Sequence, residues 1–252
     1  MYGTRSPGSR PVRSGQHVSA IIPCLEEEEA IGTVVKAVLA QGVAEVVVVD
    51  GNSKDRTAER ARSAGARVIV EPQRGYGRAM LTGLAAIDPA ADIVLFFDGD
   101  GSDRPELIRA VLEPIRSGAA HFVLGSRLKG ERERGSLSLS QFLAGRLAGL
   151  LIRLLYGVRF SDMSPFRAIR RDALDRLGMR EETFGWNLEM QMRSAAAGLR
   201  IVEVPVGQRR RTGGVSKVSG NLTVSVNAAW RLAKTFLRLA RILHREAQAT
   251  RR

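Results

Sequence analysis

Three carboxylates fall within the stretch Asp98-Gly99-Asp100-Gly101-Ser102-Asp103. Only a glycine separates Asp98 from Asp100, so both side chains can reach one point. Such a pair suits a hard divalent cation, Mg²⁺ or Mn²⁺, whose shell is completed by phosphate oxygens. The same residues also fit an acidic turn in which Asp103 caps a helix beginning near Pro105. Basic counterparts lie elsewhere in the chain. Arg127 follows an apolar run and can stabilise phosphate charge, and Arg211, Ser216 and Lys217 punctuate a glycine-containing loop that can close over a diphosphate.

Two further carboxylates are candidate general bases. Asp162 precedes the run Met-Ser-Pro-Phe-Arg167, and Glu189 lies near the start of a helical pattern opened by Trp186-Asn187. A hydroxyl nucleophile needs a base to take its proton, and either carboxylate can serve. A phosphate nucleophile is already anionic and needs none, leaving Glu189 to orient basic neighbours. A capping or surface role is open for both.

The elements that must position these groups are legible from periodicity. Short apolar runs at Val18–Ile22, Glu45–Val49, Arg67–Val70 and Ile93–Phe97 alternate with helical patterns, including one opened by the acidic cluster Glu26 to Glu29. That alternation is the signature of a doubly wound, parallel α/β sheet. The strand ends share one edge, where ligands bind in such sheets. They carry Pro23 with Glu27, Asp50 with Ser53, Arg74 with Gly75 and Gly77, and Asp98 with Asp100. Asp50 can accept from a nucleobase or ribose, and the glycines can let backbone approach a ligand. Asp55 reads as a cap. His121–Gly125 and Ile201–Val206 supply later strands, and Lys129–Arg134 reads as a mobile mixed-charge loop.

Composition narrows the class. The single cysteine, Cys24, excludes an internal disulfide, and His17, His121 and His244 have no zinc-ligand spacing. The net charge is +13, of which residues 1–17 hold +3 and residues 207–252 hold +10, so the body between them is neutral. Residues 1–17 read as a disordered basic leader, 18–220 as the catalytic domain and 221–252 as a basic amphipathic helix and tail. In that helix Arg231, Lys234, Arg238, Arg241 and Arg245 share one face and Phe236 and Leu243 another. It can lie on an anionic membrane, form a homodimer or pack on its own domain. Leu139–Val158, broken by Arg146 and Arg153, suits a surface-lying helix or one packed on the domain. No apolar run is long enough to span a bilayer, and a reducing, cytoplasmic compartment with peripheral contact at the inner membrane face is expected. An aromatic content of 5% without a stacking motif argues against nucleic acid.

The motifs SAIIPCLEEEEAI, VVVVDGNSKDRT, GYGRAM, FFDGDGSDRP, LGSR, SDMSPFRA and GGVSKVSG occur in an order that resembles the family 2 glycosyltransferases of GT-A fold. The branch resembled is that of dolichyl-phosphate mannose synthase and other polyprenyl-phosphate glycosyltransferases. The resemblance implies an α/β/α sandwich with a mainly parallel sheet. It also implies inverting transfer of a hexose from a UDP- or GDP-sugar to a polyprenyl phosphate or another membrane-associated acceptor. Pro23, Glu27 and Asp50 would contact the nucleotide, Asp98 and Asp100 the metal or diphosphate, and Arg127, Arg211, Ser216 and Lys217 anionic groups. The chain departs from the pattern at Glu26, where Asn is usual, at Ser102, where Gln is common, and at Pro165 within Ser-Gly-Phe-Arg. A sugar nucleotidyltransferase and a non-catalytic anion-binding module are the rival readings.

Overall fold

The computed structural model describes residues 16–212 and 222–250. Ser216 and Lys217 therefore lie outside the described residues, as do residues 1–15 of the expected leader.

Seven strands form one sheet: β1 (Val18–Cys24), β2 (Glu45–Asp50), β3 (Arg67–Val70), β4 (Ile93–Phe96), β5 (Phe122–Ser126), β6 (Arg167–Arg170) and β7 (Ile201–Pro205). Their order is β3-β2-β1-β4-β6-β5-β7. All neighbours run parallel except β6, which is antiparallel to both β4 and β5. The sheet is thus mainly parallel, as expected, with one reversed strand in its second half.

Strand alternation divides the core in two. Ala20 and Ile22 of β1, Val46 and Val48 of β2, and Ile93 and Leu95 of β4 enter one apolar cluster. Ile21, Val47, Val49, Val94 and Phe96 enter the other. A side-chain period of two with both faces apolar requires cover on both faces. Helices α1 (Ile31–Leu39), α2 (Thr57–Ser63) and α4 (Ile108–Arg116) cover the first face. The second is covered by α3 (Tyr76–Ala86), α5 (Leu139–Tyr156), α6 (Arg171–Leu177), α7 (Trp186–Ala196) and α8 (Leu222–Thr250). The result is a three-layer α/β/α sandwich.

Three local expectations are corrected. The acidic cluster does not open α1: Ala30 and Ile31 donate to the Glu27 carbonyl in a turn, and the helix starts at Ile31 with no acid in its first turn. Asp103 caps nothing: the turn Pro105–Leu107 has no side-chain cap, and Asp103 instead accepts from the Asp98 N–H at 3.1 Å. The loop 129–134 is pinned. Glu133 N–H donates to the Gln208 carbonyl, Gln208 N–H to that of Glu131, and Arg210 N–H to the Glu133 carboxylate.

Candidate active site

The carboxyl ends of β1, β2 and β4 meet at one edge, and the segment after β7 folds across them. Glu26 N–H donates to Ser53 Oγ and Glu27 N–H to Thr57 Oγ1, each at 2.8 Å, joining the turns that leave β1 and β2. Pro23 is half-buried at the end of β1, beside Val49. Asp50 is buried and accepts both the N–H and the hydroxyl of Ser53, at 3.1 and 2.5 Å. Asp55 accepts from the N–H groups of Thr57, the first residue of α2, and of Glu28, while Arg56 stands at the N-cap of that helix with no side-chain cap.

Beyond β4, Asp100 Oδ1 accepts from Ser102 N–H at 2.9 Å, and Gly101 turns the chain at φ +77°. Gly99 is required by packing, since a Cβ there would overlap Cys24 Sγ. Residues after β7 are stitched to this turn: Arg209 N–H donates to the Ser102 carbonyl and Thr212 N–H to that of Asp100, both at 2.9 Å. This brings Arg211 over the carboxylates. Its Nη2 lies 2.5 Å from Glu27 Oε1 and 3.8 Å from Asp100 Oδ2. Glu27, Asp50, Asp98, Asp100 and Arg211 are therefore brought together.

Electrostatics agree with that convergence. Burial, followed by the neighbouring carboxylates Asp103 and Asp100, pushes Asp98 well above the usual carboxylate range. Burial likewise raises Asp103. The Cys24 thiol is pushed up by burial and then by Glu27, Asp50, Asp98 and Asp100, so it is a neutral floor beneath the acids. Among the described residues no group of three or more His, Cys, Asp or Glu can hold a metal by itself. The residues fit a cation shared with a substrate, since Mg²⁺ commonly takes one or two carboxylates and draws further ligands from phosphate and water.

Other expected site residues have different partners. Arg127 is buried and holds Asp162 in a fork, Nε to Oδ2 at 2.8 Å and Nη2 to Oδ1 at 2.7 Å. Asp162 also accepts the Arg127 and Met163 N–H groups. Burial alone would raise the Asp162 pKa, but the Arg127 guanidinium and these N–H groups outweigh it and hold the carboxylate below its usual range. Glu189 is buried, accepts from the N–H groups of Arg180 and Glu181 at 3.0 and 2.7 Å, and pairs with Arg193 at 2.8 Å. It anchors the segment before α7. Gly75 and Gly77, expected to let backbone approach a ligand, let it approach that segment: Gly77 N–H donates to the Thr183 carbonyl, and a Cβ on Gly77 would overlap the Glu181 carbonyl.

The sequence pattern of "Glycosyl transferase family 2" matches residues 19–178, from β1 to the end of α6. The chain belongs to this family of glycosyltransferases. Among curated relatives, an uncharacterised glycosyltransferase of Mycobacterium tuberculosis is 39% identical over 221 residues, covering 85% of this chain and 95% of that protein. A dolichyl-phosphate hexose transferase of Haloferax volcanii is 35% identical over 201 residues, covering 78% and 84%. Among solved structures, glucosyl-3-phosphoglycerate synthase of Mycobacterium tuberculosis, in complex with Mn²⁺, UDP and phosphoglyceric acid, superposes with a TM-score of 0.70. It is 22% identical and covers 89% of this chain and 78% of that one. The GT-A fold is shared.

In this family 2 transferase the segment around Arg167, which reads from sequence as a strand or turn, brings a further group to the edge. Arg167 is fully buried at the start of β6, opposite Phe96 and Leu124, because the reversed strand begins where β4 and β5 end. Its guanidinium donates to the carbonyls of Ser164 and Asn187. Burial lowers its pKa to about 10, so it is a cation at neutral pH, within electrostatic reach of Asp98 and Asp162. Four residues of mixed type cannot announce strand direction.

Proposed function

We propose that the chain is an inverting hexosyltransferase that uses a nucleoside diphosphate sugar and a divalent cation, and that its acceptor is a membrane-held polyprenyl phosphate. The observation that carries the donor half is Arg211 reaching both Glu27 and Asp100, which puts a cation beside the carboxylates of a strand-end cleft. Asp98 and Asp100 would hold the Mg²⁺ or Mn²⁺, which supplies Lewis acidity toward the leaving diphosphate when bound. Pro23, Glu27 and Asp50 would form the edge that takes the donor's nucleoside. Arg211, with Ser216 and Lys217 that follow it in sequence, would offset the negative charge that grows on the diphosphate as the glycosidic bond breaks.

The acceptor half rests on the committed state of the two candidate bases. Asp162 is held as a carboxylate by Arg127, and Glu189 is bonded to two backbone N–H groups and Arg193. An acceptor that arrives as a phosphate needs no proton removed. The relative named a dolichyl-phosphate hexose transferase supports the same acceptor class. The protein would work at the inner membrane face; among the described residues no helix is long and apolar enough to cross a membrane.

The test is transfer from labelled UDP- and GDP-hexoses to a short-chain polyprenyl phosphate with Mn²⁺, with 3-phosphoglycerate as a competing acceptor. Asp100→Asn is expected to lower turnover by about 10²-fold or more, the scale seen when a transition-state charge loses its partner. Full turnover by that variant, or transfer to phosphoglycerate alone, would overturn the reading.

A further inference from the structure

Helix α5 has two unlike faces. Inward, Gly145 lies against Asp162, where a Cβ would sit 3.6 Å from Oδ1, and Gly149 lies against the Phe160 carbonyl. Ala148 and Ile152 are buried on the same side. Outward, Leu139, Leu143, Leu147, Leu150 and Leu154 are between 51% and 73% exposed. At 3.6 residues per turn these leucines fall within an arc of about 80°. The helix is complete at both ends, with a capping box between Ser138 and Gln141 and a left-handed Gly157 after the last turn. The stripe is therefore a built feature of a finished helix.

A continuous exposed apolar stripe marks an interaction surface. Charge selects the partner. Exposed Arg146 and Arg153 border the stripe on one edge, and residues 139–156 contain no acid. Helix α8 packs beside α5 and exposes Lys234, Arg238, Arg241 and Arg245. Its one acid, Glu246, is paired with Arg193. A two-fold contact with a second copy would set this basic border against itself. An anionic bilayer offers an acyl boundary to the leucines and headgroup phosphates to the arginines.

We propose that α5 is the face on which the protein rests on an anionic lipid surface, with the leucine stripe in the acyl boundary and Arg146 and Arg153 at the headgroups. Its bearing on catalysis rests on the polyprenyl phosphate reading above. Because the inner face of α5 touches Asp162, a lipid-held phosphate would lie about one helix diameter, ~10 Å, from the Arg127–Asp162 pair.

The experiment is co-sedimentation of the full chain with phosphatidylcholine vesicles with and without phosphatidylglycerol, comparing wild type with Leu143→Gln/Leu147→Gln/Leu150→Gln/Leu154→Gln. Wild type should sediment with the anionic vesicles, and the variant should lose that partition by about tenfold or more while its circular dichroism and melting stay unchanged. Transfer to polyprenyl phosphate embedded in vesicles should fall in parallel, and transfer to a soluble short-chain prenyl phosphate should not. Equal vesicle binding by the variant would overturn the proposal, as would a wild-type dimer in sedimentation velocity that the variant dissolves without any vesicle binding. Intact vesicle binding with no transfer to the soluble acceptor would instead overturn the acceptor reading and leave this one standing.

Discussion

Among the described residues Glu26 is one of two non-glycine residues in the left-handed region, at φ +55°. That conformation crowds a Cβ against the carbonyl and favours Asn, the residue usual at this place in the resembled pattern. Glu26→Asn should therefore stabilise the protein by up to about 1 kcal/mol, a rise in melting temperature of about 2–4 °C for a chain of this size. An unchanged or lower melting temperature would count against the strain. The Arg127–Asp162 pair makes the opposite case. Arg127→Met leaves a buried carboxylate without its cation and should cost about 3–5 kcal/mol in chemical denaturation. The folded pKa of Asp162 is depressed, so its contribution is complete above the unfolded value of about 3.9 and fades as pH falls below it. In Arg127→Met burial dominates, the folded pKa rises above the unfolded one, and acidification becomes favourable. The stability gap between wild type and variant should narrow as the pH falls through the carboxylate range; a constant gap would sink the account. That Glu27, Asp50, Asp98 and Asp100 share an edge was legible, because each follows an apolar run. The mutual pairing of Arg127 and Asp162 was not, since 35 residues separate them and either alone resembles a ligand contact.

Elements explain what Gly75 and Gly77, at the start of α3, make room for within the fold. Glycine in a loop-to-helix turn signals close approach without saying to what. Here the neighbour is the segment that Glu189 anchors, roughly a hundred residues later in the chain, so local pattern could not name it. The contact is backbone to backbone and cannot move aside cheaply. Gly77→Ala should cost about 1–3 kcal/mol, the usual scale for overpacking. Gly32 supplies the control: it lies within α1, and a Cβ there would meet only the Arg60 carbonyl at 3.8 Å. Gly32→Ala should stabilise by up to about 1 kcal/mol through helix propensity. Urea midpoints moving in opposite directions for the two alanines would support the placement of α3; two shifts of the same sign would not. The strands themselves were readable because both faces are apolar and the period is two. The reversal of β6 was not readable, because direction depends on which neighbours a short strand finds.

At the scale of the whole molecule, sequence alone left α8 with three fates: lipid, a partner or its own domain. Periodicity separates a basic from an apolar face but does not say what meets the apolar one. In the fold, Phe236, Leu239 and Leu243 are buried in the cluster that also holds Trp186, Met190 and Phe96, which links the last helix to the sheet through α7. Two ion pairs brace the joint, Arg193 with Glu246 and Arg238 with Glu181. The exposed ends of these pairs contribute little in water, so the apolar contact decides whether the helix stays. Leu239→Ala removes a fully packed side chain and should cost about 2–5 kcal/mol, whereas Leu237→Ala, at a position 56% exposed, should be near neutral. In a Trp230→Phe background, which leaves Trp186 as the one fluorescent indole, both variants should unfold in one transition seen alike by tryptophan fluorescence and far-ultraviolet circular dichroism, because Trp186 and α8 share one core. If Leu239→Ala instead loses helical signal in a separate, earlier step with the tryptophan signal unmoved, α8 is an independent unit and not the last layer of the sandwich.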